Sequence, residues 1–202
     1  MRYKKILFIC FAVIYSICPV QAALIDNSTG LSDPHTTITF VEHVFPSGTG
    51  LTSEYSDLGV NFSPFAYYDP YAGGGYVSNF MPNGYAYPFS LIFSTPQTEA
   101  AFQLITGGNT ANLYAYLGGS LVESGTVTTV SSLSDYYGFN GIKFDQIYIQ
   151  SSYSGFTNGS GTGPLILDNL QLAAVPVPSA IWLFGSALVG FIGFNRRKTI
   201  QQ

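Results

Sequence analysis

The stretch Leu113-Tyr114-Ala115-Tyr116-Leu117 alternates without a fault, aliphatic residues at one parity and tyrosines at the other. Successive side chains on a β-strand point to opposite faces, so the pattern reads as a strand with one face in a core and one towards solvent. The stretch 141–150 carries the same signal with a break in it. Ile142 and Phe144 share one parity, and Ile147 and Ile149 share the other. A one-residue slip of this kind is what a β-bulge at Asp145-Gln146 produces. Outward from these two, runs rich in β-branched and aromatic residues fall at 36–44, 58–62, 75–80, 89–94, 100–105, 112–117, 121–130, 141–150 and 164–172. Clusters of Gly, Pro, Asn and Ser separate them, and no window shows a useful helical stripe. Strands of this length and spacing in one compact body predict an all-β, two-sheet sandwich.

The chain ends read as addresses rather than as fold. Arg2, Lys4 and Lys5 precede an apolar run over 6–17, and Val20-Gln21-Ala22 supplies the small residues that a signal peptidase reads. Cleavage is therefore expected between Ala22 and Ala23, giving a signal peptide of residues 1–22. Cys10 and Cys18 both fall inside it, which leaves the mature chain without cysteine and excludes disulfides and thiolate catalysis from the body. At the other end, Pro176-Val177-Pro178 forms a hinge, 180–194 is an uncharged apolar run, and Arg196-Arg197-Lys198 closes it with positive charge. At ~1.5 Å per residue that run spans roughly 22 Å, short of the ~30 Å hydrocarbon core, and suits a transient anchor held by its cationic end.

The order Pro-x-Pro, then Trp182-Leu183-Phe184-Gly185-Ser186, Leu188, Gly190 and the closing basic cluster resembles the PEP-CTERM sorting signal of exopolysaccharide-producing Gram-negative bacteria. Val177 stands where the family pattern has Glu. The resemblance implies an exosortase, a membrane-embedded cysteine protease, that cuts near the Pro motif after export through the inner membrane. The body would then reside in the cell envelope, on the outer surface or outside the cell. The resemblance covers only residues 175–198, and transfers no activity to the rest.

The body, residues 23–174, is one domain in size and has an unusual charge balance. Lys143 stands alone against all eleven acidic residues, a formal charge of −10 with His35 and His43 neutral. Nucleic acid and anionic membrane surfaces need clustered Lys and Arg, so both are excluded as partners of the body. Divalent cations and neutral glycans remain. The opening Ile38 to Glu42, the run Tyr55 to Ser63, and the closing segments Gly141 to Ile149 and Leu165 to Leu172 resemble the jelly-roll, galactose-binding-like domains common among PEP-CTERM proteins. That resemblance implies a jelly-roll-like sandwich and, by analogy, contact with carbohydrate.

Two features offer candidate sites. Glu42 shares parity with Ile38 and Phe40, and Asp168 with Ile166 and Leu170, so both carboxylates are expected on the core side. An inward carboxylate must be paired, protonated or metal-bound. In jelly rolls the first and last strands often run side by side, which would unite Glu42 and Asp168 in a Ca²⁺ site, although no cofactor is required. The other reading places both at strand ends, solvated or capped by backbone amides. The second feature is 64–89, with six tyrosines among prolines and glycines. Tyr67, Tyr68, Tyr71 and Tyr76 are candidates for stacking on sugar rings, with Asp69, Asn79 and Asn83 as hydroxyl partners; alternatively the rings fold back over one end of the sandwich, with a hairpin at 73–80. No nucleophile elbow, HExxH or phosphate loop is present. The reading is a sorted, non-enzymatic envelope or matrix protein associated with exopolysaccharide, with a glycan-binding module as the alternative and a carboxylate-based glycosidase as the remote third.

Overall fold

The computed structural model describes residues 23–70, 74–80, 86–152 and 162–173. Residues 1–22, where a signal peptide ending at Ala22 is expected, the tail with Pro176, Val177, Pro178, Trp182, Arg196, Arg197 and Lys198, and the loop residues Tyr71 and Asn83 lie outside them. The described residues form eleven strands, joined almost throughout by antiparallel pairing: β1 (Ala23–Asn27), β2 (Thr36–Ile38), β3 (Gly50–Leu51), β4 (Val60–Phe62), β5 (Ala66–Asp69), β6 (Tyr76–Ser78), β7 (Phe89–Thr106), β8 (Thr110–Leu117), β9 (Ser120–Thr128), β10 (Tyr136–Ser151) and β11 (Leu165–Leu172).

Two of these strands are far longer than the rest, and they organise the others. The first half of β7 lies between β4 and the second half of β10, which continues to β8 and β9. The second half of β7 lies between β11 and the first half of β10, which continues to β1. Beyond β11 come β6, β5 and β3, with β2 on the remaining part of β11. Hydrogen bonding is therefore continuous, while the chain forms two layers that share β7 and β10 across a corner. Strands that switch sheets do so through bulges. Here the β7–β10 register shifts between Asn140 and Phe144 and again between Phe144 and Gln146, the second at the expected bulge.

The fault in the 141–150 pattern thus marks a turn from one layer to the next. Phe144, Ile147 and Ile149 are all fully buried because the bulge re-aims the strand between them. On β7 the crossing falls at Pro96, which lacks a backbone N–H and is tolerated where ladder pairing is interrupted. The inward faces of both layers meet in one core: Val60, Phe62, Phe89, Leu91, Phe93, Leu113, Ala115, Ile147 and Ile149 from the first, and Ile38, Tyr68, Val77, Phe102, Leu104, Tyr137, Phe139, Leu165, Leu167 and Leu170 from the second. The chain is thus an all-β two-sheet sandwich, with the predicted neighbours β2 and β11 paired at Leu170–Ile38.

Several boundaries differ from the sequence expectation. The runs at 89–94 and 100–105 are one strand, because pairing continues on both sides of the polar segment around Pro96. The first expected strand ends at Ile38 rather than Val44, since Phe40 takes φ 57 and turns the chain. Tyr55 fixes that turn by donating its hydroxyl to Phe40 O and His43 O, each at 3.0 Å. β1, β3 and β5 are additions. Behind β1, Ile25 and Leu31 pack on Ala101, with Tyr136 and Ala173 beside them, and cover part of the outer face of the second layer. Gly30, at φ 74, lets Gln171 Oε1 reach Leu31 N–H at 2.7 Å.

The hairpin β5–β6 is fastened by one buried amide. Asn79, 0% exposed, donates Nδ2 to Tyr87 O at 2.9 Å and to Gly163 O at 3.1 Å, and its Oδ1 accepts from Leu165 N at 2.8 Å. Asn79→Ala removes three hydrogen bonds to the backbone, two of them buried, and should cost about 3 kcal/mol at roughly 1 kcal/mol each. Urea denaturation of the body measures this, and an unchanged midpoint would show that the clamp is not what holds the hairpin.

Candidate functional site

The structure redistributes the tyrosines of 64–89. Tyr68 is 2% exposed and belongs to the core, so it is no platform. Its place follows from the β5 alternation, which buries Ala66 and Tyr68 and leaves Tyr67 and Asp69 on the other side. Tyr67 and Tyr76 are half-buried in the hairpin, at registers Tyr67–Ser78 and Asp69–Tyr76. Asn79 is consumed by its clamp and is not available to a ligand. Tyr68 and Asn79 thus follow the reading in which the segment folds onto the sandwich, while Tyr67 and Tyr76 keep part of their surface exposed.

The carboxylate pair is also corrected. Glu42 is exposed, lies beyond the end of β2, and accepts from Thr39 N and Thr39 Oγ1, both at 2.9 Å. Burial pulls its pKa up, but the bonds from Thr39, together with the backbone amides of Glu42 and Phe40, outweigh this and leave it lowered. On β11 the inward residues are Leu165 and Leu167; Ile166 and Asp168 face the other way. Asn169, at φ 47, then shifts the β11–β7 register between Asp168 and Gln171 and brings Leu170 and Leu172 to the core. Parity in the sequence misplaces Asp168 because the alternation breaks at this bulge. Asp168 Oδ1 accepts from Asn169 N at 2.7 Å, and Asn169 Nδ2 donates to Gln103 Oε1 at 2.6 Å. Burial, with a smaller push from the Glu42 charge, lifts Asp168 to about 6 against a backbone bond that lowers it. Among the described residues no three His, Cys, Asp or Glu side chains gather as metal ligands.

The surface that does assemble is the outer face of the first layer. β8 buries Ala111, Leu113 and Ala115, which turns Asn112, Tyr114 and Tyr116 outward. β10 buries Ile147, Ile149 and Ser151, which turns Gln146, Tyr148 and Gln150 to the same side. Register sets these residues in rows across the strands. Asn61, Ile92, Gln146, Tyr116 and Leu121 form one; Ser90, Tyr148, Tyr114 and Ser124 form the next; Gln150, Asn112 and Thr126 form the third. Tyr114 and Tyr148 lie directly opposite, ring centroids 5.8 Å apart and planes tilted by 54°. Burial and then the neighbouring phenols of Tyr116 and Tyr114 raise the Tyr148 pKa, so the three hydroxyls share one locale.

Gln146 Nε2 donates to Ser90 Oγ at 2.7 Å, and Thr126 Oγ1 donates to Asn112 Oδ1 at 2.7 Å. These bonds hold the amides in place between the rings. None of the residues in the three rows carries a charge. The nearest carboxylate along β10, Asp145, turns at the bulge to accept from Gly118 N at 2.8 Å. Such a face, with aromatic surfaces, oriented amides and hydroxyls on a rigid sheet, suits a neutral ligand rich in hydroxyl groups. The alternation at 113–117 had signalled the outward tyrosines, but Tyr148 joins them only through the register between β8 and β10.

No known family model matches the chain, and no curated protein sequence does. Among solved structures, the chain is similar to a mutant of CBM29-2 made to probe ligand recognition by family 29 carbohydrate-binding modules. The identity is 10% and the TM-score 0.35, over 78% of this chain and 99% of that one. It is similar also to CBM32-2 of GH31 bound to GalNAc, at 14% identity and a TM-score of 0.31, over 77% of this chain and 99% of that one.

The position of Asp168 has a consequence for stability. Its folded pKa of about 6 lies above the ordinary value of 3.8, so the native state takes up the proton first. Stability from this group therefore rises as pH falls from about 6 towards 4 and is lowest above 6. The side chain is partly solvated, so screening should reduce the effect to about 1–2 kcal/mol. Asp168→Asn keeps an acceptor for Asn169 N and removes the charge. It should stabilise the body at pH 7.5 and match wild type near pH 4; an equal difference at both pH values would contradict this.

Proposed function

We propose that the body is a non-catalytic module that binds neutral polysaccharide on the outer face of its β4–β7–β10–β8–β9 layer. The observation that carries this reading is the uncharged patch of Tyr114, Tyr116 and Tyr148 set among Asn112, Gln146 and Gln150. Pyranose rings present flat C–H faces that stack on aromatic surfaces and hydroxyls that pair with amides. Tyrosine supplies such area at low entropic cost because only two torsions need be fixed. The net charge of −10 on the body adds repulsion against anionic polymers, which favours neutral ones. Each ring contributes on the order of 1 kcal/mol beyond buried area, so retention on a polymer comes from several rings and repeated contacts.

The signals expected at the two ends of the chain would carry this module outward. Export by the 1–22 signal sequence, removed by signal peptidase, followed by exosortase cleavage near Pro176–Pro178, would deliver the body to the envelope surface or the exopolysaccharide around it. A structural Ca²⁺ has no part in this reading.

Affinity electrophoresis through gels containing the host's neutral exopolysaccharide tests the binding. Tyr114→Ala and Tyr148→Ala should each weaken retention by about fivefold, the equivalent of ~1 kcal/mol. Unaltered retention of both folded variants would refute the site. For the sorting, mass spectrometry of the surface fraction should find a body starting at Ala23 without Trp182. Finding only the intact tail in the inner membrane, in a host with an exosortase, would refute that part.

A further inference from the structure

A second aromatic group stands at one end of the same layer. Phe65 and Tyr87 stack with ring centroids 4.5 Å apart and planes 29° from parallel, and Phe65 is 40% exposed. Phe65 also takes φ 80, a left-handed conformation that a bulky side chain adopts only when its surroundings enforce it. Strain of this kind costs on the order of 1–3 kcal/mol and gathers where a side chain must be presented in one direction. The ring lies outside the main core cluster, so core packing does not account for the strain.

Hydrogen bonds beside this pair connect it to the tyrosine face. Ser63 N donates to Ser90 O at 3.0 Å, and Ser90 N donates to Ser63 Oγ at 2.7 Å. Ser90 is the residue opposite Tyr148, which is opposite Tyr114. Asn79 Nδ2 holds Tyr87 through its carbonyl, at 2.9 Å. The row of Tyr114, Tyr148 and Ser90 thus continues to Ser63, two residues before Phe65. At ~4.8 Å per strand, Ser63 to Tyr114 covers roughly 14 Å, more than one sugar ring can span.

We infer that Phe65 and Tyr87 form a distal subsite of the tyrosine face, so that the module grips several consecutive sugars of a neutral polysaccharide chain rather than a terminal residue. The inference rests on the function proposed above. Its distinguishing property is a dependence of affinity on chain length that resides in Phe65. Phe65→Gly is the informative substitution, because glycine adopts the left-handed conformation without strain and removes the ring alone.

The probes are fragments of the host's neutral exopolysaccharide, sized from disaccharide to octasaccharide, titrated calorimetrically against the body. Wild type should bind the octasaccharide about tenfold more tightly than the disaccharide. Phe65→Gly should lose most of that gain while leaving disaccharide affinity unchanged, and Tyr114→Ala should weaken both. If Tyr114→Ala weakens both but Phe65→Gly changes neither, the distal subsite is refuted and the tyrosine face stands. If wild type binds no fragment, or Tyr114→Ala is without effect, the proposed function itself fails and the subsite with it.

Discussion

The pairing of β7 with β10 along nearly their whole lengths, broken only at the corner by bulges, is the constraint on which everything else depends. Each strand serves both layers, so the relative position of the layers is set by covalent continuity as well as by packing. β8 and β9 add to one half, β11, β6 and β5 to the other, and the two inward faces close on a single core. The bulges at Asn140–Gln146 serve both purposes: they turn the strand, and they keep Phe139, Phe144, Ile147 and Ile149 all buried despite the change of direction.

The two layers are not treated alike on their outer faces. β1 and the residues that follow it place Ile25 and Leu31 on Ala101, so the second layer is partly covered by its own chain. The first layer ends in the edge strand β9 and leaves Tyr114, Tyr116 and Tyr148 in a half-buried state with amides between them. Leu24 and Gly125 meet where β1 approaches β9, and a side chain at 125 would have to displace that leucine. That contact covers part of the flank while the first face stays available.

Much of this was legible because strand periodicity is local. The alternation at 113–117 identified both the strand and its solvent side, and the slip between Phe144 and Ile147 located a bulge that proved to be a corner. What was lost depended on contacts remote in sequence. Pro96 reads as a break, yet pairing on either side carries β7 through it. Asp168 reads as inward until Asn169 takes a left-handed conformation; Asn is among the residues most tolerant of that region, so Asp168-Asn169 held the one local clue. The density of tyrosines at 64–89 drew the binding assignment to a segment whose Tyr68 and Asn79 are interior. Tyr148 and Tyr114 lie on strands joined only by register, which no composition reveals.

The central claim is that the tyrosines of the first layer, rather than those of the hairpin, meet the ligand. Aromatic carbon-detected NMR of tyrosine-labelled body, titrated with fragments of a neutral polysaccharide, addresses it ring by ring. The account predicts shifts at Tyr114, Tyr116 and Tyr148, with the interior rings of Tyr55, Tyr68 and Tyr137 unmoved. Silence at Tyr114, Tyr116 and Tyr148 while Tyr67 and Tyr76 respond would contradict it.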